Sequence, residues 1–421
     1  MAVIRFRNPN SPDSFWQQDE YDDRAYRDNE EDFIDERIEE GERLRKRRRE
    51  LLRLAARMAG AAAVCGLIAL FMWYLNSHRV YSTASSEVIF EMTLQDDIGC
   101  IALGSNLVYY SQDGASCLNT RGEMVWSLSY EMQSPIIAKA GNLLAIGDDG
   151  GSMIYLQSDS EILGTINTNL PIRELCVSES GRVAAVLADT DINWVYLFNS
   201  AGETIAYIKT TMGQSGYPVS LALSPGGELL CVSHLVADSS GIGSSVAFYN
   251  FGSVGQNYAE NNVSGFNYDD EIFPFLYYIN DSTCAAVSDA RIVFFSGKEI
   301  PQSSSNALFT ENLEGVFCGG EYVALLFPDS TGTEDYSLQV YDSSGNRTTT
   351  IAFSMAFTGI EIAGERIYIS NDTELLIYTA SGQLRYDGEL PSAAREVIST
   401  GKSANRVFLL TEEGIERVTL Q

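Results

Sequence analysis

Histidine is nearly missing from this chain: 421 residues include two, His78 and His234. A Ser-His-Asp site, or a zinc site with several imidazoles, has almost nothing to be built from, and His234, alone in an apolar run, reads as structural. Seven cysteines occur with no CxxC and no adjacent pair. Cys65 falls in an apolar segment, while Cys100, Cys117, Cys176, Cys231, Cys284 and Cys318 sit in runs that read as strand. There a free thiol behaves as a small buried hydrophobe, a reading preferred to a disulfide framework, which belongs mainly to small domains without an adequate core. Cations are scarce too: residues 80–421 hold 14 Lys plus Arg against 42 Asp plus Glu, a net of −28 within a chain total of −29. Such a surface repels phosphate backbones and anionic head groups, so nucleic acid is excluded as a partner, whereas cationic patches on proteins or divalent cations fit.

The chain holds one long uncharged run, with no charge between Arg57 and Arg79. About 20 such residues as helix span a hydrocarbon core of about 30 Å, so residues 58–78 are expected to form a transmembrane signal anchor. Trp73 and Tyr74 stand near its end, where amphipathic rings prefer the interface. Before it, residues 43–57 form a basic juxtamembrane helix with Arg43, Arg45, Lys46, Arg47, Arg48, Arg49, Arg53 and Arg57; after it, Arg79 is isolated. The positive-inside rule then puts the amino terminus in the cytoplasm and the carboxy-terminal domain outside a single-pass cell membrane protein. A cleaved signal peptide would have a far shorter, less charged preceding region and an A-x-A site. Residues 1–42 are an acidic tail with 14 Asp plus Glu between Asp13 and Glu42. The tail is expected to be largely disordered, turning helical from about Glu30. Small residues at Ala59 and Ala63, and at Ala62 and Gly66, give a weak signal for pairing of two anchors into a dimer.

Beyond a short linker, 79–86, helical periodicity disappears, and β-rich runs of five to eight residues alternate with Gly, Asn, Asp and Ser. One phrase recurs: an apolar strand, a tight polar turn with Gly, then another strand. It appears at Asn119-Thr120-Arg121-Gly122-Glu123, Asn199-Ser200-Ala201-Gly202-Glu203, Asp342-Ser343-Ser344-Gly345-Asn346 and Thr379-Ala380-Ser381-Gly382-Gln383. A period near 40 residues with about four strands per unit is what a propeller blade requires, because a lone blade cannot bury both faces. Units start near residues 98, 134, 171, 216, 270, 313, 356 and 393. The last has room for three strands, and residues 88–94 are expected to supply the fourth and close the ring. The fold class is therefore all-β, an eight-bladed β-propeller over residues 87–421 with seven blades as the alternative, preceded by one transmembrane helix and a charged tail.

The blade around Asn119 to Trp126 resembles the pyrroloquinoline-quinone repeat of quinoprotein propellers, and Ser224-Pro225-Gly226-Gly227-Glu228-Leu229 resembles the S-P-D-G phrase of WD40-like propellers. The whole layout resembles uncharacterised single-pass proteins of Gram-positive bacteria. The resemblance implies the fold and no reaction. Quinoprotein dehydrogenases use a vicinal Cys-Cys and a stacking tryptophan; this chain has no Cys-Cys, and the tryptophans of its outer part, Trp126 and Trp194, fall in repeat strands. Ser111-Gln112-Asp113-Gly114 is a fragment of a sialidase Asp box, and 42 acids single out no carboxylate pair for glycoside cleavage. No catalytic residue, cofactor or metal is expected.

In a propeller, the loops between second and third strands and those between blades leave one face, while third-to-fourth turns leave the other. Long irregular insertions, assigned to the first class, cover 188–193, 237–244, 328–336 and the connector 255–271. They carry Asp191, Asp238, Tyr258, Phe266, Tyr268, Asp269, Asp270, Glu271, Glu334, Asp335 and Tyr336. Elaborated loops on a rigid scaffold are where binding concentrates. The expected function is a non-catalytic scaffold that docks an envelope or membrane protein; the alternatives are a glycan or small-ligand receptor and, last, a propeller enzyme.

Overall fold

The computed structural model describes residues 22–421, apart from His78, Leu94, Asp96, Asp238 and Ser240. The chain divides into two units with the boundary between Arg79 and Val80. In the first, one helix runs unbroken from Asp22 to Ser77, starting ahead of the onset expected near Glu30. Its stretch Arg45–Met72 makes it the one helix among the described residues long and apolar enough to cross a membrane. Those 28 residues extend about 40 Å at 1.5 Å per residue, enough for a hydrocarbon core of about 30 Å. Leu67, Ile68 and Phe71 are all exposed, as a helix without a protein partner leaves them.

The second unit is all-β. Its described residues form eight four-stranded antiparallel sheets, and the count of eight sets aside the seven-bladed alternative. Blades 1 to 7 cover residues 99–129, 135–167, 172–210, 217–268, 275–308, 315–353 and 359–389. Blade 8 combines residues 396–420 with the strand Ala84–Glu91, which pairs antiparallel with Gly414–Leu420. Closure by an early strand is thus as expected, but the strand starts four residues nearer the helix than residue 88, because its register puts Ala84 opposite Leu420. The linker 79–86 is correspondingly short: Tyr81 is 5% exposed, and its N–H donates to the Arg385 carbonyl of blade 7 at 2.8 Å.

The ring follows from strands that are apolar on both sides. In the second strand of blade 4, Leu229–Ala237, residues Leu230 and Val232 pack toward blade 3 while Leu229 and Cys231 pack toward blade 5. Period-two alternation therefore serves two neighbours rather than core and solvent. Eight core clusters result, each shared by two adjacent blades, from the blade 1–2 seam to the blade 8–1 seam. First strands line the axis, those of blades 2 to 5 touching in turn.

The recurrent turn has one construction. Asn119 Oδ1 accepts the N–H groups of Arg121 and Glu123 at 2.9 and 3.1 Å, and Asn199 and Asp342 repeat this at their own turns. The fourth turn residue is Gly122, at φ 83°, where a Cβ would lie 1.8 Å from the Ile89 carbonyl oxygen. Only glycine satisfies both the dihedral and the approach of the neighbouring outer strand. Of the cysteines, Cys100, Cys117, Cys231 and Cys284 are buried as small core residues. Cys318 departs from that expectation: it is exposed and lines the central channel.

Candidate functional site

Strand order fixes two faces. Second-to-third and blade-to-blade connections share a loop face; first-to-second and third-to-fourth connections share a turn face. Asp191 is exposed in the blade 3 connection between Ala188 and Asn193, and Glu334 and Asp335 occupy residues 329–335 of blade 6, all on the loop face. Asp269 and Asp270, both exposed, begin the connection from blade 4 to blade 5 on that face, with Asp270 at φ 59°. Asp238 lies outside the described residues. The insertion 237–244 is mainly a hairpin extension: the strands Leu229–Ala237 and Ile242–Asn250 have nine residues each, so blade 4 reaches further over the loop face than its neighbours.

The expected connector 255–271 is not one connection. Residues 251–261, with 3-10 turns Gly255–Asn257 and Ala259–Asn261, join the third and fourth strands of blade 4, and the strand Asn262–Tyr268 follows. Tyr258 is thereby on the turn face, away from the other candidates. Phe266 and Tyr268 point toward blade 5, where Phe266 meets Phe295 at 4.9 Å between ring centroids and Tyr268 meets Phe273 at 4.6 Å. They are seam residues rather than loop aromatics. Tyr336 similarly begins a strand and stacks on Phe353 at 5.3 Å, in the seam between blades 6 and 7.

Two of the acids are already engaged. Glu271 makes a two-pronged ion pair with Arg291 and accepts the Ser288 hydroxyl at 3.2 Å. Glu334 accepts the Ser354 hydroxyl, whose oxygen accepts the Asp335 N–H at 3.0 Å. In the same loop Asp329, held down to about 2 by the Thr331 hydroxyl at 2.5 Å and by backbone N–H groups, shapes the segment. Of the predicted acids described on the loop face, Asp191, Asp269, Asp270 and Asp335 keep carboxylates that make no hydrogen bond or ion pair among the described residues. Among the described residues no group of three or more His, Cys, Asp or Glu side chains is placed to hold a metal ion.

Two concavities accompany these faces. The channel mouth, of about 770 Å³, is lined by first strands and by first-to-second turns such as Gly141 and Gly320, so it opens on the turn face, and it includes Lys139, Glu361 and Lys402. Burial pushes Glu361 up to about 7, opposed by the Ser399 N–H it accepts at 2.9 Å. The second, of about 620 Å³, lies between blades 3 and 4 and reaches Asp269 and Asp270 at the loop face. It contains His234, a residue the sequence marks only as a lone strand histidine.

An eight-bladed propeller following a helix of membrane-spanning length is the class these features define. The chain belongs to DUF5711, a family of unknown function whose model matches residues 77–420. No curated protein matches it. Among solved structures, it is similar to the computationally designed Ika8 protein at TM-score 0.55 and 12% identity, over 80% of this chain and 100% of that one. Sqt1 of Chaetomium thermophilum, solved bound to the N-terminus of ribosomal protein L10, gives TM-score 0.53 and 10% identity over 80% and 100% of the two chains. Sqt1 of Saccharomyces cerevisiae gives 0.50 and 10% over 82% and 99%. At such identities the similarity is one of fold.

Proposed function

We propose that this protein is a non-catalytic, membrane-tethered propeller that docks a protein of the cell envelope through its acidic loop face. The observation that carries the reading is the asymmetry of the two faces: extended or irregular connections in blades 3, 4 and 6 with free carboxylates on one, and on the other, in blades 1, 3, 6 and 7, the same short glycine turn. Because residues 80–421 hold 42 acids against 14 bases, the propeller suits a partner presenting a basic patch. Sqt1, built on the same fold, holds a protein segment. The helix acts as an uncleaved anchor, with the amino terminus in the cytoplasm and the propeller outside. The quinoprotein-like repeat supplies the scaffold and no chemistry, and small-residue spacing at Ala59 and Ala63 supports at most weak pairing of anchors.

Crosslinking of the tagged full chain in living cells, followed by mass spectrometry, tests this. One dominant envelope protein is expected, joined at the loop face, with recovery falling at least tenfold when Asp191, Asp269 and Asp270 are all changed to Asn. Unchanged recovery from the triple variant, or crosslinks confined to the turn face, would refute the docking surface. Protease added to intact cells is expected to cut beyond Arg79; full protection there would refute the topology.

A further inference from the structure

We propose that the cleft between blades 3 and 4 is a binding site for a small, uncharged, hydroxyl-rich molecule of monosaccharide size. The cavity, about 620 Å³, falls within the roughly 300–1,000 Å³ usual for small-molecule sites. It exists because the outer strands of blade 4 turn small residues toward blade 3. Gly243, Ser245 and Ala247 alternate with Val246 and Phe248, which serve the other seam. Opposite Ala247 stands Gly265, whose added Cβ would meet nothing within 4 Å.

Within the wall is a polar group the fold does not use. His234 is 2% exposed, and its Nε2 has no hydrogen-bond partner among the described residues. The ring bonds the Ser245 backbone, which favours its protonated form as a carbonyl acceptor does, so by elimination Nδ1–H is the donor and Nε2 carries a bare lone pair. Burial lowers its pKa to about 4, and the imidazole is neutral at physiological pH. A buried acceptor left open beside a cavity is completed by a ligand donor.

Charge selects the donor. Glu260, Asp269 and Asp270 are exposed at the two ends of the cleft against one lysine, Lys209, so anions are disfavoured. The deep acceptor is a neutral ring with no carboxylate acting on it among the described residues, and an ammonium group brought there would lose its hydration without a counter-charge. A hydroxyl meets Nε2 without that loss, while Asn262, Asn267 and Gln214 offer both donors and acceptors to further hydroxyls.

The test uses the full chain in a detergent without sugar head groups, titrated with glucose, galactose and N-acetylglucosamine by saturation-transfer NMR, with ethanolamine as a cationic probe. At least one sugar is expected to saturate. His234→Phe, which keeps a ring but removes the acceptor, should weaken it at least tenfold, and Gly265→Leu, whose side chain would project into open space on the same side as the cleft-lining Ala247, should weaken it several-fold by narrowing the cleft. Ethanolamine should give no signal. Silence from all three sugars, binding undiminished in either variant, or ethanolamine saturating in their place would overturn the assignment. Crosslinking of the envelope partner should survive Gly265→Leu, so loss of this site is distinguishable from loss of the docking face.

Discussion

The two sides of blade 4 are built from the same strands and could hardly be packed more differently. Toward blade 5, Phe248, Phe266 and Phe295 interlock with centroids 4.9–6.3 Å apart, and Arg291 lies over the Tyr268 ring at 5.8 Å. Toward blade 3, the outer part of the seam is Gly243, Ser245, Ala247 and Gly265, and the space remains open. The inner part of that seam is nevertheless filled, by Ala184, Val186, Leu230 and Val232 among others. The ring therefore needs every inner seam, whereas an outer seam can be surrendered to function. The sharpest way to break this comparison is to open the filled side. Phe295→Ala removes a fully buried ring and should destabilise the propeller by about 3–5 kcal/mol, read from urea unfolding of the full chain. A loss below about 1 kcal/mol would mean that the aromatic seam is no more essential than the open one.

On the open side the expected effect is a pH dependence. His234 has its pKa lowered from 6.5 to about 4, first by burial and against the Ser245 backbone bond. The unfolded chain binds the proton more readily, so the contribution is fully present above 6.5 and is lost as pH falls toward 4. The whole swing is on the order of 3 kcal/mol, at 1.36 kcal/mol per pKa unit. Stability measured from pH 7 to pH 4 should fall less steeply in His234→Phe than in the unmodified chain. Parallel slopes would show that water floods the cleft to the ring and that the pKa is ordinary.

The comparison also explains what was legible in the residues. The blades, their number and their closure were, because the turn Asn119–Glu123 and its copies state their geometry locally, through an Asx bond and a glycine at positive φ. The strand Asn262–Tyr268 was not. With Gly265 and Asn267 on the cleft side and Phe266 and Tyr268 on the aromatic side, it lacks an apolar run and passes for a Gly- and Asn-rich loop continuing from Gly255. That error moved Tyr258 to the wrong face and turned two seam aromatics into apparent surface groups. The cleft left one faint signal, the small residues at every second position of Gly243-Ser244-Ser245-Val246-Ala247-Phe248. A propeller strand normally faces two neighbours, so small residues along one side mark a neighbour held at a distance.

Smaller changes sharpen the contrast at its rim. Glu271 and Arg291 have side chains 14% and 29% exposed, so their pairing at the blade 5 edge is largely shielded from solvent. Glu271→Gln leaves the guanidinium without its carboxylate and should cost about 1–3 kcal/mol, measured by thermal unfolding, with the loss little relieved by salt. A change under about 0.3 kcal/mol, or one erased by 0.5 M salt, would class the pair with ordinary surface ion pairs. Least of all should be felt at Gly265, on the cleft side of the strand Asn262–Tyr268. A leucine there meets no atom within 4 Å of its Cβ, and the position needs no left-handed backbone, so stability should stay within about 0.5 kcal/mol of the unmodified chain. Not every glycine of the cleft side has that freedom: at Gly243, at the end of the hairpin, a would-be Cβ lies 2.3 Å from the Tyr268 carbonyl oxygen. Tolerance at 265 together with collapse at 295 would show that the void is a designed absence of side chains; destabilisation beyond about 1 kcal/mol at 265 would mean that the two blades close together there in solution.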